Sequence, residues 1–148
     1  TGVQTCALPI FIFDFPSEYA DFLGFFNGLR LFAGRLQFSG MDDSPQYRIA
    51  SSSDFVPPSL AWDNTLMRPA ALPSNYVVIG NYMHRVFNIC WDIDTDVICA
   101  IHETDSTPFA QWKNFTTFCE LEIPRIASLL PSRVHELREF PPITPGGL

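Results

Sequence analysis

The residues of this chain that come nearest to a chemical constellation are Asp92, Asp94 and Asp96, followed by Glu103. Carboxylates at the first, third and fifth positions, with Glu at the twelfth, copy the oxygen-ligand spacing of an EF-hand calcium loop. The sixth position is Val97, where that loop needs glycine for its sharp turn. Val97 to Ile101 also reads as a strand rather than an entering helix. The stretch is therefore expected to be a solvated hairpin turn, with no metal. His84, His102 and His135 form no H-x-x-x-H pair, and His102 and Glu103, adjacent in a strand, point to opposite faces. Ser51 to Ser53 lack the Gly-x-Ser-x-Gly elbow of a hydrolase. Gly24, Gly28 and Gly34 match no phosphate-binding loop. Cys90, Cys99 and Cys119 sit in or beside apolar runs, where a thiol packs as a small hydrophobe rather than acting as a nucleophile. Trp62, Trp91 and Trp112 are read as core or interface anchors. No catalytic constellation emerges, so the chain is expected to be non-enzymatic and to use no cofactor.

Composition narrows the partners. The 148 residues carry 16 acids against 9 Lys and Arg, a formal net charge of −7. Nucleic acid is disfavoured, because phosphate binding needs clustered Lys and Arg. A basic protein partner fits, through electrostatic steering. With 47% hydrophobic and 14% aromatic residues, the chain has the material for one buried core. No apolar run approaches the length of a membrane span. The four cysteines form no C-x-x-C pair, and buried reduced thiols imply a cytoplasmic setting. Cys90 and Cys99 lie in neighbouring apolar runs that can bring them together. Thr1 to Ile10 resembles translated sequencing-adapter DNA. It is expected to be foreign to the protein, Cys6 included.

The elements follow from periodicity and punctuation. Phe15 to Gly28 reads as a short helix, with Pro16 at its entry, Ser17 as cap, and Glu18 and Asp21 near the positive end of its dipole. Tyr19, Phe22, Leu23 and Phe26 form its apolar face. Asn27-Gly28 offers a left-handed exit. Leu29 to Phe32 and Leu36 to Phe38 read as a hairpin or a bulged pair of strands. Met41 to Ser53 reads as a loop, and a helical turn is expected between the prolines at 57 and 58 and Asn64. Leu66 to Ser74 is extended because Pro69 and Pro73 bias their neighbours outward. Tyr76 to Gly80, Arg85 to Asp92 and Val97 to Glu103 form an antiparallel meander. Thr107 to Lys113 reads as a loop with buried aromatics. A helix capped by Asn114 or Thr116 then runs towards Leu130, with Pro124 expected to kink or break it. From Pro131 the chain is a loose Pro/Gly-rich tail, with a short helix expected over Arg133 to Phe140. The fold class is α+β, a mainly antiparallel sheet with helices packed on one side. One domain spans residues 11 to 131, and 132 to 148 form the tail.

Pro16, Tyr19, Phe22, Leu23 and Asn27-Gly28 resemble the "P-x-x-Y-x-x-F-L…N-G" helix that opens domains of the SUKH superfamily, the Smi/Knr-like domains. Later landmarks are similar to that family in order: Asn64, Arg68-Pro69, Leu72-Pro73, Val78-Ile79-Gly80, an aromatic strand ending at Asp92, Val97-Ile98, and Phe115-Thr-Thr-Phe118 leading a helix. Pro124 departs from the pattern. Family members usually carry a further segment before the first helix. The resemblance implies a bacterial immunity protein, a non-catalytic domain that binds and neutralises a cognate polymorphic toxin, often a basic nuclease. On that reading Asp42, Asp43, Asp92, Asp94 and Asp96 are expected to supply steering charge, and Trp91 and Trp112 exposed contact anchors. Two alternatives stay open: a small-molecule or enzymatic domain with an aromatic-lined pocket, and a scaffold domain of a larger regulatory protein.

Overall fold

The computed structural model describes residues 15–41, 59–82 and 86–129. Thr1 to Ile10, Asp42 and Asp43, Ser51 to Ser53, His84, His135 and the tail from Pro131 lie outside the described residues. Among the described residues the α-helices and strands follow one another as α1 (Ser17–Phe25), β1 (Leu29–Leu31), β2 (Leu36–Phe38), α2 (Leu60–Asn64), β3 (Tyr76–Tyr82), β4 (Phe87–Asp92), β5 (Val97–His102), β6 (Pro108–Trp112) and α3 (Phe115–Leu129), with a 3-10 turn at Phe32–Gly34 between β1 and β2. The six strands form one antiparallel sheet in sequence order, each pairing with the next. The α+β expectation, an antiparallel sheet with helices on one side, matches this arrangement.

Side-chain alternation divides the sheet into two faces. On the helix side, Val77, Ile79, Ile89, Trp91, Ile98, Ala100, Ala110 and Trp112 meet Tyr19 of α1, Leu60 of α2, and Phe115, Phe118 and Ile126 of α3 in one buried cluster. Aromatic rings organise that cluster. Phe115 stands edge-on to Tyr19, Phe22 and Phe38 at 5.0–5.4 Å, and Phe118 meets Trp112 edge-on at 4.8 Å. Such pairs add to the area they bury. On the other face, Tyr76, Val78, Cys90, Cys99 and Ile101 lie under Leu72.

Four sequence expectations need correcting. Leu66 to Ser74 is a run of turns rather than extended, with Leu72 N donating to Pro69 O at 3.1 Å and Tyr76 N to Pro73 O at 3.2 Å, so each proline opens a turn. Pro108 to Trp112 is the edge strand β6, not a loop. An edge strand tolerates Pro108 because one row of its amides needs no ladder partner, and Ala110 and Trp112 alternate inward. The last helix continues without a break through Pro124. The core holds it on both sides of the proline, through Phe118 before it and Ile126 after it. Ser17 lies inside the first turn of α1, which is flanked by Pro16. The other helix signals behave as expected. Gly28 takes a left-handed φ of 85° on leaving α1. Asn114 caps α3, its Oδ1 accepting from Thr117 N at 2.8 Å.

The motif residues of the first half act on the junction of β2 and β3. Tyr19 Oη lies 2.7 Å from Ser39 O and 3.0 Å from Ile79 O, its one proton serving two carbonyls. Ile79 sits at a register shift in β3, between Val78 and Gly80. Gly80 is required there, because a Cβ would run into the Gln37 carbonyl oxygen. Beyond the end of β2, no strand among the described residues lies beside the edge of β3. Asn64 fills the gap: Val78 N donates to its Oδ1 at 2.7 Å and its Nδ2 donates to Val78 O at 2.7 Å. Arg68 continues the closure by donating to Tyr76 O and Pro73 O at 2.8 and 2.6 Å.

Candidate partner-binding site

The hairpin between β4 and β5 carries the aspartates singled out in the sequence. Asp92 is only 8% exposed. Its carboxylate accepts from Asp94 N at 3.0 Å, Thr95 Oγ1 at 2.8 Å and Asn75 Nδ2 at 3.0 Å. Burial pushes this carboxyl up, but the bonds from Thr95, Asp94 and Asn75 outweigh it and leave it below the usual carboxylate range. Asp92 therefore builds the turn rather than presenting charge to a partner. Asp94 and Asp96 are exposed. Asp96 takes a left-handed φ of 61° and accepts from Trp91 Nε1 at 2.9 Å. Glu103 lies past the other end of β5, on the order of 20 Å from Asp92 along the strand, so the four carboxylates do not converge. Among the described residues, no group of three His, Cys, Asp or Glu side chains is placed to hold a metal ion.

The tryptophans are placed differently from the expectation. Trp91 is 6% exposed and Trp112 1%. They flank Ile98 in one row across β4, β5 and β6, facing the helices. The expectation that they are exposed contact anchors is corrected: the alternation that buries Ile89 and Ala110 also turns these two indoles inward. Trp62 is half-buried on α2. Asp42 and Asp43 are outside the described residues.

The cysteines pack as hydrophobes. Cys90 and Cys99 are directly opposite each other on β4 and β5, both buried and both free thiols. Burial pushes the Cys90 thiol far up and the Cys99 thiol up to about 12. Neither is a nucleophile at neutral pH. His102 closes β5, its Nδ1 2.9 Å from Thr104 Oγ1 and its ring edge-on to Phe87. A buried polar group lies on α3. Glu122 accepts from Tyr82 Oη at 2.9 Å and pairs with Arg125 at 2.6 Å. Tyr82 is pushed well above its ordinary range by burial and by the Glu122 charge. Glu122 therefore serves as a bolt between α3 and β3.

Sequence reasoning missed the outer flank of α1. Glu18, Asp21 and Phe25 share one side of this helix by their spacing. Phe25 is 84% exposed and Phe26 50%. Glu18 reaches across to α3, where its Oε2 accepts from Thr116 N at 3.3 Å. The signal was present in the sequence, since Phe25 falls outside the stripe of Tyr19, Phe22, Leu23 and Phe26. An aromatic residue off the apolar face of a packed helix is exposed by geometry.

Exposed charge is one-sided. Among the described residues, Asp21, Asp94, Asp96, Glu103, Asp105 and Glu120 are exposed, whereas Lys113 is the only exposed base. Two of the described arginines face inward tasks: Arg68 serves backbone carbonyls and Arg125 serves Glu122. No family model matches the chain, and no curated protein or solved structure compared with it matches either.

Proposed function

We propose that this chain is a non-catalytic binding domain that recognises a basic protein, as an immunity protein recognises the toxin it neutralises. The observation that carries the reading is the one-sided exposed charge. Among the described residues, six exposed acids stand against one exposed base, and Arg68 and Arg125 are occupied by internal bonds. A surface of that kind raises the encounter rate with a cationic partner and repels an anionic one. The resemblance of the chain's ordered landmarks to those of SUKH domains supports a partner class, a bacterial toxin domain, often a nuclease. Asp94 and Asp96 contribute steering charge from the exposed hairpin turn.

The test begins with the DNA on both sides of the reading frame, taken from an adapter-free assembly. The expected neighbour is a toxin gene whose C-terminal domain is basic. Co-expression of that domain with this chain should restore growth that the domain alone abolishes, and the two should co-purify. Reversing charge in Asp94→Lys/Asp96→Lys should slow association by about tenfold at low salt, with the difference shrinking as salt rises. An adjoining domain that neither binds nor is neutralised would overturn the reading.

A further inference from the structure

We propose that the outer flank of α1, formed by Glu18, Asp21 and Phe25 and continued onto α3 by Glu120, is the surface that receives the basic partner, with Phe25 as its apolar anchor. The inference rests on the function proposed above and assigns it a face. Three observations converge on this flank. Phe25 is the most exposed large hydrophobic side chain among the described residues, at 84%. Its neighbour one turn back on the outside of the helix, Asp21, is exposed as well. The ring therefore stands clear of the surface instead of lying against it. The helix geometry then sets Asp21 and Glu18 on the same side as that ring, one and two turns back respectively.

The two helices form one continuous surface at this point. Glu18 is hydrogen-bonded to the first turn of α3. Cys119, between them, is pushed up to about 12 first by burial and then by the nearby Glu18 and Glu120 charges. Glu120 itself is exposed. An aromatic side chain ringed by carboxylates complements a partner patch with an apolar pocket rimmed by Lys or Arg. Of the other exposed apolar residues, Phe26 and Leu121 are the sequence neighbours of Phe25 and Glu120, and the rest lack that surround. Leu66 and Met67 adjoin Arg68, and Phe109 packs tilted against Phe87. Charge complementarity thus selects α1. The hairpin acids Asp94 and Asp96 steer, whereas Phe25 and its carboxylates hold.

This division of labour separates in kinetics. The probe is the basic domain encoded by the adjoining gene, made catalytically inactive and measured against the full chain by surface plasmon resonance. Phe25→Ser should speed dissociation by about tenfold or more and leave association within about twofold. Asp21→Lys/Glu120→Lys should weaken binding through both rates. Asp94→Lys/Asp96→Lys should slow association and leave dissociation unchanged. Circular dichroism and thermal melting of each variant check that it is folded, above all the Asp96 variant, since Asp96 also accepts from the Trp91 indole. If the wild-type chain binds but Phe25→Ser dissociates at the wild-type rate, the face is wrong and the function stands. If the wild-type chain does not bind the domain at all, the function fails and takes the face with it. A wild-type homodimer in sedimentation velocity that Phe25→Ser splits would also overturn the proposal, because the occupant would then be a second copy.

Discussion

Asp92 directs its carboxylate at the turn that follows it, and the pH dependence of folding should carry its mark. Its folded-state affinity for a proton is below the ordinary value, so its contribution is fully present above the unfolded pKa of about 3.9 and is lost as pH falls through the folded value. Asp92→Ala should cost about 1–3 kcal/mol at pH 7, because three donors lose a charged acceptor. The same substitution should cost much less in strong acid. Urea unfolding at pH 7 and at pH 2, wild type against variant, measures both. At this scale the sequence was only partly legible. The spacing of Asp92, Asp94 and Asp96 marked a turn correctly. It did not say which carboxylate faces inward, because that depends on Asn75, which approaches from a different element.

At the scale of elements, two substitutions probe how the secondary structure is held. Pro124 is exposed and interrupts the hydrogen-bond ladder of α3 without breaking the helix. Pro124→Ala should therefore stabilise the protein, by about 1–3 kcal/mol, as the missing amide returns and the ring clash goes. A rise in thermal midpoint checks this. Asn64 plays the opposite part. Asn64→Ala removes a side-chain partner of both polar groups of Val78 and should cost about 2 kcal/mol or more. Amide exchange at Val78 should accelerate with it. Strand and helix positions were legible wherever β-branched or aromatic runs were long, as in β3, β4 and α3. Two points were not. Strand β6 owes its existence to pairing with β5, and a proline at its start hid that. The unbroken α3 owes its continuity to packing on both sides of Pro124, which local propensity does not register.

For the molecule as a whole, the exposed charge sets the terms of association. Binding to a basic domain should weaken steeply with salt, its association rate falling by about an order of magnitude between low ionic strength and about 0.5 M. Stopped-flow mixing across a salt series measures it, and a flat series would point to an apolar interface alone. The net charge was readable from composition. Its one-sided exposure among the described residues was not, because it depends on where arginines such as Arg68 and Arg125 are placed. The candidate site was legible only at Asp94 and Asp96. Trp91 and Trp112 were misplaced because large aromatics suit a core and an interface equally well, and only strand register decides between them. No described helix is long and apolar enough to cross a membrane.

The closure of β3 by Asn64 and Arg68 has a consequence for how this protein behaves in a crowded solution. A bare stretch of strand invites any extended segment to add itself, and successive additions make a fibre. Here that vulnerable row of amides and carbonyls is stoppered by one carboxamide and one guanidinium, four residues apart on either side of a turn. The plug is cheap to build and cheap to lose. A chain altered at both positions keeps its core yet offers an open template, so the first symptom of their loss would be polymerisation rather than unfolding.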